Sequence, residues 1–173
     1  MDLYETVFEL IDFRSFSNLW FWIMLAVFWS TVSHFVIGVP YDTVTRAARH
    51  GGQAETDMMD LVRINSNRLT YIADVAGMWM VGFIFFILTG LVLIGFGYRV
   101  EICQAIFLLF APMTMVFGLS VMTARRIQGQ TPDETRKALR RHRVATQLLG
   151  VLSILITSMW GMYVNMSAGV LGG

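Results

Sequence analysis

The sequence predicts an all-α, polytopic membrane protein: a four-transmembrane-helix bundle with an N-terminal interfacial amphipathic helix. Three observations carry this. Hydrophobic residues make up 55% of the 173 residues and charged residues only 14%, against about a quarter charged in ordinary soluble domains. The apolar residues fall in four runs, Leu19–Val39, Val75–Gly97, Ile102–Met122 and Leu148–Val170, none containing Asp, Glu, Lys or Arg. At the rise of an α-helix these runs reach roughly 31–35 Å, enough for a hydrocarbon core of about 30 Å. The runs also lack the period-two alternation of barrel strands. A length of 173 residues fits one membrane domain, with loops 40–74 and 123–147 between spans.

Residues 1–18 place Leu3, Val7, Leu10 and Ile11 on one helical face. Such a helix lies in the headgroup region or docks on a partner subunit. The first run is not a cleavable signal. Four acids (Asp2, Glu5, Glu9, Asp12) and the single cation Arg14 precede it, and no small-residue cleavage site follows. Pro40 is expected to end it. Trp20, Trp22, Tyr71, Tyr98, Trp160 and Tyr163 lie near run ends, as in the aromatic belts of membrane interfaces.

In the first loop Gly51–Gly52 breaks a short basic stretch, and Asp57–Leu69 should lead helically into the second span. In the second loop Thr131-Pro132-Asp133-Glu134 has the spacing of a capping box with Pro at the first helical position. A helix should start at Pro132 and run into the fourth span. Pro112 should kink the third. Small residues (Ala73, Gly77, Gly82, Gly90, Gly150, Ser153, Gly161) suit close helix–helix approach.

Eleven of the thirteen Lys and Arg residues fall in the two loops. By the positive-inside rule these loops are expected to be cytoplasmic, with both termini periplasmic in a bacterial inner membrane. The basic face of the second loop (Arg136, Lys137, Arg140, Arg141, Arg143) suits anionic lipids or, alternatively, a specific phosphate or protein partner. No nucleic-acid-binding module accompanies these cations, so nucleic acid is not an expected partner.

Few polar groups lie inside the runs. His34 and Asp74 fall at similar depth on antiparallel spans and form a candidate intramembrane polar pair, read either as a proton- or ligand-linked site or as separate interfacial groups. Gln104 and Asn165 are expected to make interhelical hydrogen bonds, and Arg99 and Glu101 a solvated turn. With one cysteine, Cys103, and one histidine inside a run, no thiolate metal site, iron–sulfur cluster or two-histidine haem is expected. No nucleotide loop or nucleophile–base spacing is present. The chain is expected to carry no cofactor, no catalytic or metal site, and no enzymatic activity.

Three stretches, Phe13-Arg14-Ser15-Phe16-Ser17-Asn18-Leu19-Trp20, Arg49-His50-Gly51-Gly52-Gln53-Ala54 and Arg63-Ile64-Asn65-Ser66-Asn67-Arg68-Leu69-Thr70-Tyr71-Ile72-Ala73-Asp74, with Trp160-Gly161-Met162-Tyr163, carry a resemblance. The chain resembles, over nearly its whole length, a family of alphaproteobacterial four-span inner-membrane proteins, some labelled as a component of the Suf complex. The resemblance implies a bacterial membrane and a compact four-span domain, and no catalytic residue. In length and span count alone, the chain is similar to the small membrane subunits of tripartite periplasmic-binding-protein-dependent transporters. The function expected is an accessory or structural subunit of a larger membrane complex, with other membrane subunits as partners. The alternatives are a homo-oligomeric channel or transporter using His34 and Asp74, and a scaffold recruiting a soluble partner.

Overall fold

Asn18 opens the first helix: its side-chain oxygen accepts the Trp20 backbone N–H at 2.9 Å, an N-cap in the usual sense. The structure is a computed structural model that describes residues 15–170. The amphipathic helix expected over residues 1–18 therefore lies mostly outside the described residues. Ser15–Ser17 form one 3-10 turn.

Helix α1 runs Leu19–His34. This corrects the expected span Leu19–Val39, whose end falls five residues early. The reason is the turn at Ile37 and Gly38, both at positive φ (53° and 73°), which folds the chain into a two-residue hairpin. Strand β1 (Phe35–Val36) pairs antiparallel with β2 (Val39–Pro40), Phe35 opposite Pro40 and Val36 opposite Val39. Pro40 thus closes the hairpin and precedes the next helix. At 16 residues, α1 is shorter than the three helices long and apolar enough to cross a membrane.

Helix α2, Tyr41–His50, is amphipathic and buries Thr43, Val44 and Ala47. It ends at Gly51 and Gly52, both at positive φ, where glycine carries no steric penalty. Helix α3 then runs unbroken from Gly52 to Val92, with a π-helical turn over Leu93–Gly97. Its 41 residues span roughly 62 Å, about twice the hydrocarbon thickness. The loop 40–74 is thus helical from Tyr41 onward, save the Gly51 break, and Asp57–Leu69 leads helically into the second apolar run as expected.

Helix α4, Glu101–Ile127, contains Pro112. Proline cannot donate to the carbonyl four residues back, here Leu108, and the Ser153 hydroxyl approaches that oxygen at 3.5 Å. Helix α5 starts at Pro132 and reaches Val170. The capping box forms as expected: Thr131 N–H and hydroxyl donate to Glu134 at 3.1 and 2.9 Å, and Glu134 N–H returns to Thr131 at 3.4 Å.

Helix α4 is central, packing against α3 on one side and α5 on the other, while α1 lies against α5. Two clusters hold these together. The larger joins the hairpin (Val36, Ile37, Val39) to α2 (Val44, Ala47), α3 (Met58, Val62), α4 (Ala124, Ile127) and α5 (Leu139). It lies at the end carrying the two arginine-rich loops. The smaller holds Leu25 and Trp29 of α1 on Val116 of α4. There Gly150 is required: a Cβ on it would sit 2.8 Å from the Trp29 ring.

Candidate functional site

The conspicuous polar features gather at the arginine-rich end, where α3, α4 and α5 extend beyond their apolar runs. Two ion pairs tie these helices, each between opposite charges on facing helices.

Arg136, on the first turn of α5, donates to Glu55 near the start of α3 at 2.5 Å and also pairs with Asp133. Both hydrogen bonds, Glu55 first, raise the Arg136 guanidinium above its ordinary range. Arg125 of α4 donates to Asp74 of α3 at 2.5 Å. Both side chains are more than half exposed, as suits a pair at a membrane rim, where a charge keeps its head in water. Glu134 stays at the α5 start, its carboxyl held below the usual range by the Thr131 backbone N–H and then by the Thr131 hydroxyl.

His142 is 4% exposed, on the inner side of α5. The Ser120 hydroxyl donates to the Val116 carbonyl at 2.8 Å, which leaves its oxygen as acceptor for His142 Nε2 at 3.0 Å. The imidazole hydrogen is accordingly assigned to Nε2, with Nδ1 toward the Thr146 hydroxyl at 3.4 Å. A cleft of about 400 Å³ opens above this histidine, between α4 and α5. Arg126, Lys137 and Arg141 line it together with Glu134, and Leu119 and Ala145 close its apolar end.

The structure sorts the residues singled out from sequence. His34 and Asp74 share no hydrogen bond or ion pair among the described residues: Asp74 belongs to Arg125, and exposed His34 meets the Phe35 ring edge-on at 5.1 Å. The five-residue basic face also divides. Arg136 is turned into the bundle by Glu55, and the Arg143 guanidinium lies 3.8 Å over the Tyr41 ring of α2. Lys137, Arg140 and Arg141 remain exposed. Arg126, Arg125, Glu55 and His142 were not singled out as site residues. For Arg125 and Arg126 the signal was present, since both sit in the expected basic loop.

At the opposite end the interhelical bonds expected of Gln104 and Asn165 are present. Gln104 donates to the Gly95 carbonyl at 2.7 Å and accepts from Trp160 Nε1 at 2.9 Å. Asn165 accepts from Ser17 at 2.7 Å. Glu101 is no bystander in a solvated turn: it accepts the Phe16 backbone N–H at 2.7 Å, stapling the 3-10 turn to α4.

The described residues contain no group of three or more His, Cys, Asp or Glu placed to hold a metal ion. Compared with protein-family models, curated proteins and solved structures, the chain matches none.

Proposed function

We propose that this chain is a structural subunit of a larger membrane assembly, with α1 as a fourth, shorter membrane-embedded helix and the arginine-rich end on the cytoplasmic side. One observation carries the reading. The membrane half of α3 packs on α4 along one side only. Its outer side presents Val75, Trp79, Gly82, Phe86, Gly90 and Leu93, spaced alternately four and three residues apart with one extra four-residue step. Trp79 is 84% and Phe86 73% exposed. Among the described residues, nothing beyond the helix's own backbone lies within 4 Å of where a Cβ on Gly82 or Gly90 would stand. Bulky rings alternate with notches at a spacing that seats a second helix by knobs-into-holes packing. In lipid no hydrophobic force rewards such a face, whereas close van der Waals fit to another helix does. The glycines that the chain does use internally, Gly95, Gly150 and Gly161, are crowded by neighbours.

The channel reading has less support, because Asp74 is neutralised by Arg125 at the rim. The test is purification from native membranes in mild detergent, with mass analysis of what migrates with the chain. Larger membrane subunits at fixed stoichiometry, lost on Gly82→Leu, support the proposal. The chain alone, at a multiple of its 19.6 kDa mass, replaces it with a homo-oligomer.

A further inference from the structure

We infer that the cleft between α4 and α5 is a binding site for the headgroup of one anionic phospholipid. The inference does not depend on protein partners. It rests on the order of chemistry along the cleft, on free charge, and on position.

Along α4 the lining runs Arg126, Thr123, Leu119; along α5 it runs Lys137, Arg141, Ala145. Successive residues are three or four apart, so each series lies on one helical face. Both series pass from cation to apolar side chain in the same direction, toward the bilayer interior. A phospholipid has that sequence of chemistry: phosphate, then acyl chains. A soluble phosphate would make no use of the apolar end.

Little of the charge is committed: Lys137 acts on Glu134 only through space, without an ion pair. Arg63, Arg125 and Arg136 each have a carboxylate partner. Arg126, Lys137 and Arg141 form no ion pair among the described residues, and all three are exposed. The single acid in the cleft, Glu134, is occupied by the Thr131 cap. Three cations against one engaged carboxylate leave a positive cleft of about 400 Å³.

Position completes the argument. Leu119 lies within the third apolar run, and Ala145 three residues before the fourth. The cations therefore sit at headgroup level on the arginine-rich side. Basic pockets between membrane helices on that side are suited to anionic headgroups. Buried His142, bonded to Ser120 at 3.0 Å, joins α5 to α4 at the base of the cleft.

The experiment uses the full chain in mild detergent, with native mass spectrometry during titration by phosphatidylglycerol or by phosphatidylcholine of the same chains. The expected result is a single saturable phosphatidylglycerol adduct that phosphatidylcholine does not match. Arg126→Gln with Lys137→Gln and Arg141→Gln should weaken it by at least about tenfold. A control removes equal charge outside the cleft: Arg46→Gln, Arg49→Gln and Arg140→Gln. Equal loss in both triple variants would reduce the effect to net charge and overturn the site. Equal binding of the two lipids would overturn it as well. Competition by glycerol phosphate at the lipid's own concentration would assign the cleft to a soluble phosphate instead. Single variants Arg126→Gln and Arg141→Gln, each compared at matched thermal unfolding, keep the result interpretable should the triple variant fold poorly.

Discussion

The two halves of α3 obey different rules. From Gly52 to Thr70 the helix buries Met58, Val62, Ser66 and Thr70, one side chain at each fourth position. From Val75 to Ile94 it buries none, though this half is the more apolar. A solvated helix has to hide its apolar stripe against a core; a helix in lipid does not, since the solvent is as apolar as the side chain. The change of rule falls beside Asp74 and its ion pair with Arg125. One continuous helix therefore spans a water-facing head, with its own core, and a lipid-facing stem held by fit.

Substitutions separate the two halves most sharply at full burial. Met58 is fully buried in the head, so Met58→Ala should cost about 2–5 kcal/mol. Phe86→Ala in the stem should cost under about 0.5 kcal/mol, as for an exposed site. Denaturant unfolding in one detergent compares them; equal losses would break the distinction. Glycines sharpen it next. Gly150→Ala drives a methyl into Trp29 and should destabilise by about 1–3 kcal/mol. Gly82→Ala, with open space around it, should instead stabilise by up to about 1 kcal/mol, as for a mid-helix glycine with room for a methyl.

Much of this division was legible in the sequence. The charge-free runs mark the long helices because a charge at the bilayer centre is costly. Thr131 and Glu134 mark the start of α5 because a capping box is local. The hairpin was not legible. Phe35 to Val39 is apolar throughout and reads as the end of a span, yet Val36 and Val39 serve the head core at 1% and 0% exposure. Nor were the partners of Asp74 and Arg136, which stand 51 and 81 residues away. Only folding brings such pairs together, and it reassigned Arg136 from a lipid-facing row to a helix–helix tie.

Charge substitutions should have smaller effects than core substitutions. Arg136→Gln breaks a half-buried tie and should cost about 1 kcal/mol, while the more exposed Asp74→Asn should cost under about 0.5 kcal/mol. Thermal unfolding of each variant in the same detergent decides the order. The smallest effect concerns Glu134. A carboxylate held below its usual range stabilises the fold above the unfolded carboxylate range. That contribution is lost as pH falls through its own lowered pKa. The protection of the α5 first-turn amides, exchange measured against each amide's intrinsic rate at the same pH, should therefore fall on acidification, and Glu134→Gln should remove that fall.

The central claim, a change of solvent along one helix, is tested most directly by cysteine labelling in membranes. Cys103 is the chain's only cysteine, so Cys103→Ser gives a clean background. Single cysteines would replace Ile64, Tyr71, Met78 and Phe86, all strongly exposed on α3. Positions 78 and 86 are no less exposed by the protein itself than 64 and 71, so weaker labelling there by a water-soluble maleimide in opened vesicles reports the surroundings. The account predicts labelling at positions 64 and 71 and protection at 78 and 86. Equal labelling at all four positions would contradict it.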